Sequence, residues 1–268
     1  MKVWNCLVLA LLCVGFAFVS ANKPFTLSGD DMAKISIEKV SRVITVGEWG
    51  KTKFRDDVEI KNLASADEGF SRWDYARMQN LQMKAIKSVE FDLPKNLNLD
   101  SLYYRDQIGN ISTSNYIVKK DYVTMDIKPR YPIMGQWRST FYYGFKINTN
   151  QIIETQDDIT TLKVQALPNL AGDKRTVSTK IRMPETAEIV SFEWSLPEEG
   201  KVVESELDQL DFKGRPTIVF EHEGKYDNVE LTIKYKYSPV TRYRKVIRMF
   251  VTVFVLIAGF IAMKKILF

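Results

Sequence analysis

The sequence contains little cysteine and almost no histidine. Its two cysteines, Cys6 and Cys13, both fall in an apolar N-terminal run, and its one histidine is His222. Beyond residue 13 the chain therefore has no thiol nucleophile and no cysteine-based metal site, and a secreted domain of this kind depends on its hydrophobic core rather than on disulfides. One histidine gives little support to a Ser-His-Asp or Cys-His catalytic set. His222 lies beside glutamates and could in principle act as an acid or a base. The sequence favours the interpretation that it is an outward-facing polar residue at the end of a strand.

A glycine-rich phosphate loop is also missing. Acidic pairs do occur, and two carboxylates at a suitable distance are what a glycosidase needs. Adjacent residues on a strand point to opposite faces, however, and adjacent carboxylates in loops are usually solvated. We therefore expect no catalytic residues, no cofactor and no metal site. A membrane-anchored hydrolase that uses paired carboxylates is kept as an alternative function. The pairs are Asp30-Asp31, Asp56-Asp57, Asp157-Asp158 and Glu198-Glu199.

Positive charge is concentrated at the C-terminal end. The formal net charge is +5, yet six basic residues and no acidic residue follow position 241, so residues 22–241 are slightly acidic. This distribution argues against a nucleic-acid-binding surface. Four of the basic residues lie in the run 242–248 beside Tyr243. The run favours an anchor at a membrane interface over specific contacts with lipid pyrophosphate or anionic headgroups.

Long hydrophobic runs are confined to the two ends of the chain. Residues 1–21 have a positive start, an apolar stretch and small residues near the cleavage position, which predicts a signal peptide. Residues 246–263 are apolar except for Arg248 and Thr252. As a helix they extend over about 27 Å, close to the thickness of the hydrocarbon core, which predicts a transmembrane helix.

These two segments predict a single-pass type I membrane protein. Residues 22–241 are expected in the lumen and residues 264–268 in the cytosol. Four basic residues precede the span and two follow it, against the positive-inside rule. The signal peptide decides the orientation, because it commits the N-terminal side to translocation first.

The region between the two ends alternates between apolar and polar residues, as half-buried strands do. We expect an all-β lumenal region of antiparallel, sandwich-like sheets, followed by one C-terminal transmembrane helix. Residues 151–160 are expected to form a loop or a linker at which the region subdivides, residues 169–175 a loop, and residues 205–210 one or two helical turns. Strands are predicted at 35–46, 58–60, 84–93, 102–105, 123–127, 141–147, 162–167, 177–183, 190–196 and 229–237, with a turn at 47–50.

Residues 102–145 form the stretch around which the chain is organised. A strand end leads into turn chemistry at 106–110, and Pro129 and Pro132 form a corner before the next strand. Asn110-Ile111-Ser112 is an acceptor sequon for N-glycosylation. Because the turn is expected in a secretory lumen, Asn110 is predicted to carry a glycan.

Several segments resemble the ribophorin I family, whose members are membrane subunits of the oligosaccharyltransferase complex. The most specific is YYRDQIGNISTS at 103–114, which is accompanied by IKPRYPIMGQWRSTFYYGF at 127–145. Two further segments fit: FSRWDYAR at 70–77 and GRPTIVFEHEGKYDNVELTIKYKY at 214–237. Taken by itself, the segment 70–77 is either an aromatic clamp for a sugar or peptide or, as we favour, a packed connection at the edge of the core.

The resemblance implies a non-catalytic subunit that supports transfer of a lipid-linked oligosaccharide from dolichyl diphosphate to asparagine in nascent proteins. It also implies residence in the endoplasmic reticulum membrane. The implied partners are the other subunits of the complex, including the multi-pass catalytic subunit. The family usually carries another β-rich lumenal domain before the matched region and a long cytosolic tail after the span, so the sequence is interpreted as a shortened form.

The residues alone also fit a different class of protein. A single-span lumenal β-sandwich that binds cargo, or that acts as a chaperone-like module, would show the same sequence pattern and would have no stable partnership with a catalytic subunit. If the chain is a subunit, its transmembrane helix is expected to pack against other spans around Ala258-Gly259, since small residues allow helices to approach closely.

Overall fold

The computed structural model describes most of the region between the two ends and the C-terminal helix. The described residues are 26–29, 35–64, 85–94, 100–112, 114–120, 122–156, 158–168, 173–194, 201–207, 211, 213–223, 229–238 and 240–267. The predicted signal peptide at 1–21, the segment 70–77, Asp157 and the pairs Asp30-Asp31 and Glu198-Glu199 lie outside these residues.

Fifteen strands and one long helix make up the described part of the chain. The strands are β1 (Thr26–Gly29), β2 (Ile35–Thr45), β3 (Lys51–Asn62), β4 (Ile86–Pro94), β5 (Asp100–Asp106), β6 (Asn115–Val118), β7 (Tyr122–Ile127), β8 (Arg138–Asn148), β9 (Ile153–Gln156), β10 (Ile159–Gln165), β11 (Asp173–Arg182), β12 (Glu188–Trp194), β13 (Lys201–Glu206), β14 (Arg215–Glu223) and β15 (Glu230–Lys236). A short 3₁₀ helix, Thr149–Gln151, follows β8, and the helix α1 is Thr241–Leu267. The predicted fold class, an all-β region followed by one C-terminal apolar helix, is confirmed.

The strands form three sheets. The largest has seven strands in the order β13-β14-β11-β2-β3-β8-β5, and two four-stranded sheets have the orders β1-β4-β7-β6 and β12-β15-β10-β9. The large sheet takes strands from both sides of residues 150–160. The strands of the described residues pair antiparallel, as predicted, except that β2 and β11 pair in parallel at the centre of the large sheet. That pairing joins segments more than a hundred residues apart, and local alternation carries no information about it.

A row of paired residues crosses the large sheet: Tyr143 on β8, Asp56 on β3, Arg42 on β2, Thr179 on β11 and Phe220 on β14. Residues paired directly across neighbouring strands lie on the same face of a sheet. These five side chains therefore mark the inner face of the large sheet, and all five residues are buried.

Each small sheet covers one end of this row. Phe91 of β4 contacts Tyr143 with ring centroids 4.6 Å apart, and Trp194 of β12 stacks on Phe220 with centroids 4.1 Å apart. Both small sheets thus pack on the same face of the large sheet. Each small sheet forms a sandwich with it, so the two sandwiches have the large sheet in common. One continuous hydrophobic core contains buried residues of all three sheets.

Several predicted element bounds were wrong. Strand β3 has twelve residues rather than three, because the charged outward residues of Lys51–Asp57 and the inward Asp56 hide its alternation. Strand β9 falls within the predicted loop 151–160; it is an edge strand with mostly exposed side chains, so its sequence is polar. Residues 205 and 206 belong to edge strand β13 rather than to a helical turn, and residues 173–175 begin β11 rather than ending a loop.

Helix α1 is longer than the predicted span. It begins at Thr241 and continues to Leu267, through most of the predicted tail 264–268. Its segment Tyr243–Lys264 has 22 residues and a mean hydropathy of 2.5, and none of these residues is fully buried, so it is long and apolar enough to cross a membrane.

Candidate functional site

The first turns of α1 are bound to the β region by a group of charged residues, which we call the junction cluster: Glu48, Glu185, Asp211, Arg215 and Lys245. Lys245 Nζ lies 3.2 Å from Glu48 Oε1 and 3.3 Å from Glu185 Oε2, and it also donates to Asp211 Oδ1. Arg215 Nε donates to Asp211 Oδ2 at 2.8 Å. The side chains of Glu48 and Asp211 are 4% and 0% exposed. The helix is thus fixed to the sheet through a largely desolvated ion network.

The β2–β3 turn presents Glu48 to this cluster. Gly47 and Gly50 flank the turn residues Glu48 and Trp49. Gly50 has a φ of 79°, which favours glycine. A Cβ on Gly47 would collide with the carbonyl oxygen of Lys51. The predicted turn at 47–50 is confirmed, and its two glycines are required for different reasons.

The three carboxylates of the junction cluster have a spacing that suits a metal ion. Their oxygens lie within 4.8 Å of one another. The ammonium of Lys245 lies among them, however, and the guanidinium of Arg215 is 3.5 Å from Glu48 Oε1. The cluster therefore carries its own cations, and its chemistry is that of a structural ion network.

Lys245 changes the interpretation of the basic run 242–248. The sequence predicted that these residues face the membrane interface, but Lys245 turns toward the protein and is only 16% exposed at its side chain. Its charge is balanced by carboxylates brought from residues 48, 185 and 211.

At the opposite end of the large sheet lies an open cleft of about 330 Å³, which we call the distal cleft. Its walls are the turn after β5, the Pro129–Pro132 corner and the start of β8. Asp106 and Arg130 form an ion pair there, with Arg130 Nη2 3.2 Å from Asp106 Oδ1. The hydrogen bonds from Arg130 hold the pKa of Asp106 below its ordinary value. Asp106 is therefore an ionised, paired group at neutral pH and is poorly suited to act as a general acid.

Asn110 lies on the surface next to the distal cleft. Its side-chain Oδ1 accepts a hydrogen bond from Arg105 Nε at 2.7 Å, and its carbonyl oxygen accepts one from Arg130 Nη2 at 3.0 Å. Asp106 Oδ1 accepts from the backbone N–H groups of Ile108 and Gly109, as expected for the predicted turn. Asn110 and Ser112 are both exposed, so the sequon occupies an accessible position.

The acidic pair Asp56-Asp57 is split between the two faces of β3. Arg42 Nε and Nη2 donate to Asp56 Oδ1 and Oδ2, both at 2.7 Å, and neither side chain is more than 5% exposed. Arg42 Nη1 also donates to the carbonyl oxygen of Gln165, the last residue of β10, which ties the large sheet to the sheet of β9, β10, β12 and β15. Asp57, on the outer face, pairs with Arg55 at 2.9 Å. Carboxylates on opposite faces do not form a glycosidase pair.

The other residues singled out from the sequence lie apart from these sites. His222 is on β14, paired with Val177 of β11. Asp158 is exposed just before β10. Ala258 and Gly259 lie in the exposed part of α1, and a Cβ on Gly259 would meet no atom within 4 Å beyond its chain neighbours and the backbone of its own helix. Tyr143 was not singled out from the sequence, and it lies beside Asp56 rather than apart from it. It is fully buried, and this burial raises the pKa of its hydroxyl well above the ordinary value, so it is neutral at physiological pH.

Sequence reasoning missed the junction cluster as a unit. Its members come from four segments separated by as much as two hundred residues, and they meet only because the β2–β3 turn, the β11–β12 turn and the residues before β14 end at the same edge of the large sheet. A lysine close to the start of an apolar helix was a visible signal, but its partners were not.

A family model of known proteins matches most of this chain, including the segment around the distal cleft and the C-terminal helix. Residues 30–264 match the family model described as Ribophorin I. The chain belongs to the ribophorin I family. The match includes every described strand but β1, and nearly all of α1.

Two curated relatives carry informative names. Dolichyl-diphosphooligosaccharide–protein glycosyltransferase subunit 1 of Caenorhabditis elegans is 28% identical over 69% of this chain and 32% of its own length. Subunit 1B of rice, Oryza sativa subsp. japonica, is 26% identical over 90% of this chain and 50% of its own length. The chain thus spans half or less of the relatives it matches.

Solved structures add little to this family assignment. An M1 zinc metallopeptidase of Deinococcus radiodurans overlays with a TM-score of 0.41 at 10% identity, over 75% of this chain and 42% of the peptidase. A similarity of this size carries no argument about function.

Proposed function

We propose that this chain is a non-catalytic, membrane-anchored subunit of the oligosaccharyltransferase complex. In that role it supports the transfer of a lipid-linked oligosaccharide from dolichyl diphosphate to asparagine in nascent proteins. The observation that carries the proposal is the family match over residues 30–264, together with relatives named as subunit 1 of this glycosyltransferase. Its partners are the other subunits, including the multi-pass catalytic subunit.

The described structure supports a scaffolding role. The carboxylates of Asp56, Asp106, Glu48 and Asp211 are each engaged by arginine or lysine. A general acid or nucleophile must be free to exchange a proton or attack a substrate, and these four groups are held in ion pairs. The large shared sheet and its ion-paired junction with α1 suit a protein whose task is to position others.

Helix α1 crosses the endoplasmic reticulum membrane in this proposal, with the β region in the lumen. The apolar segment Tyr243–Lys264 corresponds to about 33 Å of helix, slightly more than the hydrocarbon core. The open space beside Gly259 leaves room for a neighbouring helix. The same topology exposes Asn110 to the glycosylation machinery, and we expect it to carry a glycan.

The decisive experiment is a mild-detergent pull-down of the tagged chain from microsomes, with mass spectrometry of everything retained. Recovery of the multi-pass catalytic subunit in near-equal amount supports the proposal. Recovery of cargo glycoproteins without that subunit would overturn it and favour a single-span lumenal receptor.

Two variants sharpen the pull-down. Replacing residues 246–263 with an unrelated apolar helix should release the chain from the complex, whereas Lys53→Gln, at an exposed position of β3, should leave association unchanged. Asn110→Gln should remove an endoglycosidase-sensitive mass increment while the chain still assembles. If the wild-type chain shows no such increment, Asn110 is not a glycan site. Lumenal topology would then be tested by protease protection.

A further inference from the structure

An aromatic pair lies where α1 leaves the β region. The rings of Trp49 and Tyr243 contact each other edge to face, with centroids 6.1 Å apart. Trp49 is 61% exposed although it is the largest side-chain type, and Tyr243 is 48% exposed. Tryptophan left so exposed on a short turn calls for a physical explanation, because burying it would remove a large apolar area from water.

The junction cluster fixes the height of this turn along the helix. Tyr243 is the first residue of the apolar segment, and Lys245, two residues or about 3 Å further along the axis, is bonded to Glu48. Glu48 is the immediate neighbour of Trp49. If α1 spans a bilayer, as proposed above, Trp49 is therefore held at the level where the hydrocarbon core begins.

Other exposed apolar residues lie at the same end of the molecule. Leu207, 72% exposed, directly follows Glu206 of β13. Glu206 lies opposite Arg215 of the junction cluster in the strand register of β13 and β14. Val240, 67% exposed, immediately precedes α1. This end of the large sheet thus presents apolar side chains around the point where the helix departs.

We propose that the β2–β3 turn is a membrane-contact element: Trp49 lies in the headgroup region of the lumenal leaflet beside Tyr243, so that the β region lies directly on the bilayer. Tryptophan and tyrosine are favoured at this depth because their rings are apolar and their N–H and O–H groups remain hydrated. The ligand is the lipid surface itself, and continuity with the helix is what selects it over a soluble partner.

The test uses the full chain reconstituted into nanodiscs whose lipids are brominated near the headgroup end of the acyl chains. Bromine quenches the fluorescence of tryptophan within contact range. Wild type is compared with Trp49→Phe, which keeps an aromatic ring on the turn. We expect Trp49→Phe to lose most of the lipid-dependent quenching, and lipids brominated near the bilayer centre to quench the wild type much less.

The chain offers a matched control in Trp137. Its carbonyl oxygen accepts from Asn62 N–H at the far end of β3, whereas Trp49 lies two residues before the start of that strand. The eleven residue steps of β3 correspond to about 36 Å of strand, so the two tryptophans lie near opposite ends of that strand. Trp137→Phe should leave the lipid-dependent quenching as in the wild type.

A separate measurement keeps this proposal distinct from the proposed span. Resistance of the chain to alkaline extraction from the same bilayers reports on α1 alone. A chain stripped by alkali overturns the span and this contact together. A chain that resists alkali but is quenched equally in wild type and Trp49→Phe overturns the contact alone, and in that case Trp49 faces water or another subunit.

Discussion

The buried ion pair between Arg42 and Asp56 gives the sharpest test of how the two sandwiches are held together. Asp56→Asn removes the negative charge opposite a guanidinium that is almost fully buried. An uncompensated buried charge costs about 3–5 kcal/mol when its partner is removed. For a domain of this size, about 2–4 °C is lost per kcal/mol, so the melting temperature of the β region should fall by about 6–20 °C.

The neighbouring residue provides the control. Asp57→Asn makes the same chemical change one position along β3, but on the outer face, where Asp57 and Arg55 are 33% and 51% exposed. An exposed pair of this kind contributes at most about 1 kcal/mol. Thermal unfolding of the full chain in detergent micelles, followed by circular dichroism at a wavelength dominated by the sheets, would compare the two variants.

A further variant tests the cause of the effect. In Arg42→Met with Asp56→Leu, both charges are replaced by apolar groups, and this double variant should be more stable than Asp56→Asn alone, because no buried charge is left unpaired. Equal melting temperatures for Asp56→Asn and Asp57→Asn would refute the reasoning. So would a double variant less stable than Asp56→Asn, since that result would assign the loss to packing.

Three other perturbations follow from the same structure. Gly144→Ala should lower the stability of the β region by about 1–3 kcal/mol, because its Cβ would lie 2.5 Å from the hydroxyl of Tyr103; Gly259→Ala is the control, and equal urea midpoints would contradict this. Asp106→Asn keeps the turn acceptor but loses the charge that Arg130 binds. Because the folded pKa of Asp106 is lowered, the pair contributes fully above about pH 4 and less as pH falls through the folded pKa. The variant should therefore have a free energy of unfolding at pH 7 that is lower than wild type by about 1 kcal/mol or less. Its stability should also fall less steeply than that of wild type as the pH is lowered, and parallel curves of stability against pH would contradict this prediction. Lys245→Met leaves the carboxylates of the junction cluster short of one cation and should cost about 3 kcal/mol, with faster proteolysis at the start of α1, whereas Lys264→Met at the other end of the helix should leave the digestion rate unchanged.

The local sequence was sufficient for elements whose pattern and environment agree. Alternation in β8 and β15 placed their apolar residues on a buried face, because a strand with one polar face has only one stable orientation. The length and uniform apolarity of α1 identified it as a helix fit for a membrane, since no charged residue interrupts residues 249–263. The block 103–114, with its turn at 106–110, was distinctive enough to indicate the family.

Local pattern failed where charges are buried or where strands lie at an edge. Asp56 broke the alternation of β3 because its burial depends on Arg42, a partner fourteen residues away on another strand. The strands β9 and β13 are edge strands rich in polar residues, and the side chains of β9 are mostly exposed, so the two segments looked like a loop and a helical turn. Their pairing could be recognised only from the strands beside them.

What the sequence by itself determined is the class of the protein: an all-β region without disulfides beyond residue 13, an apolar C-terminal helix, and membership of a family suggested by a few unusual blocks. Only the tertiary structure decided how these parts are joined. The parallel pairing of β2 with β11 brings the turns at residues 48 and 185 to one edge of the sheet, and Lys245 meets its carboxylates there. Long-range contacts of this kind depend on the register of several strands at once, and no short stretch of sequence specifies that register.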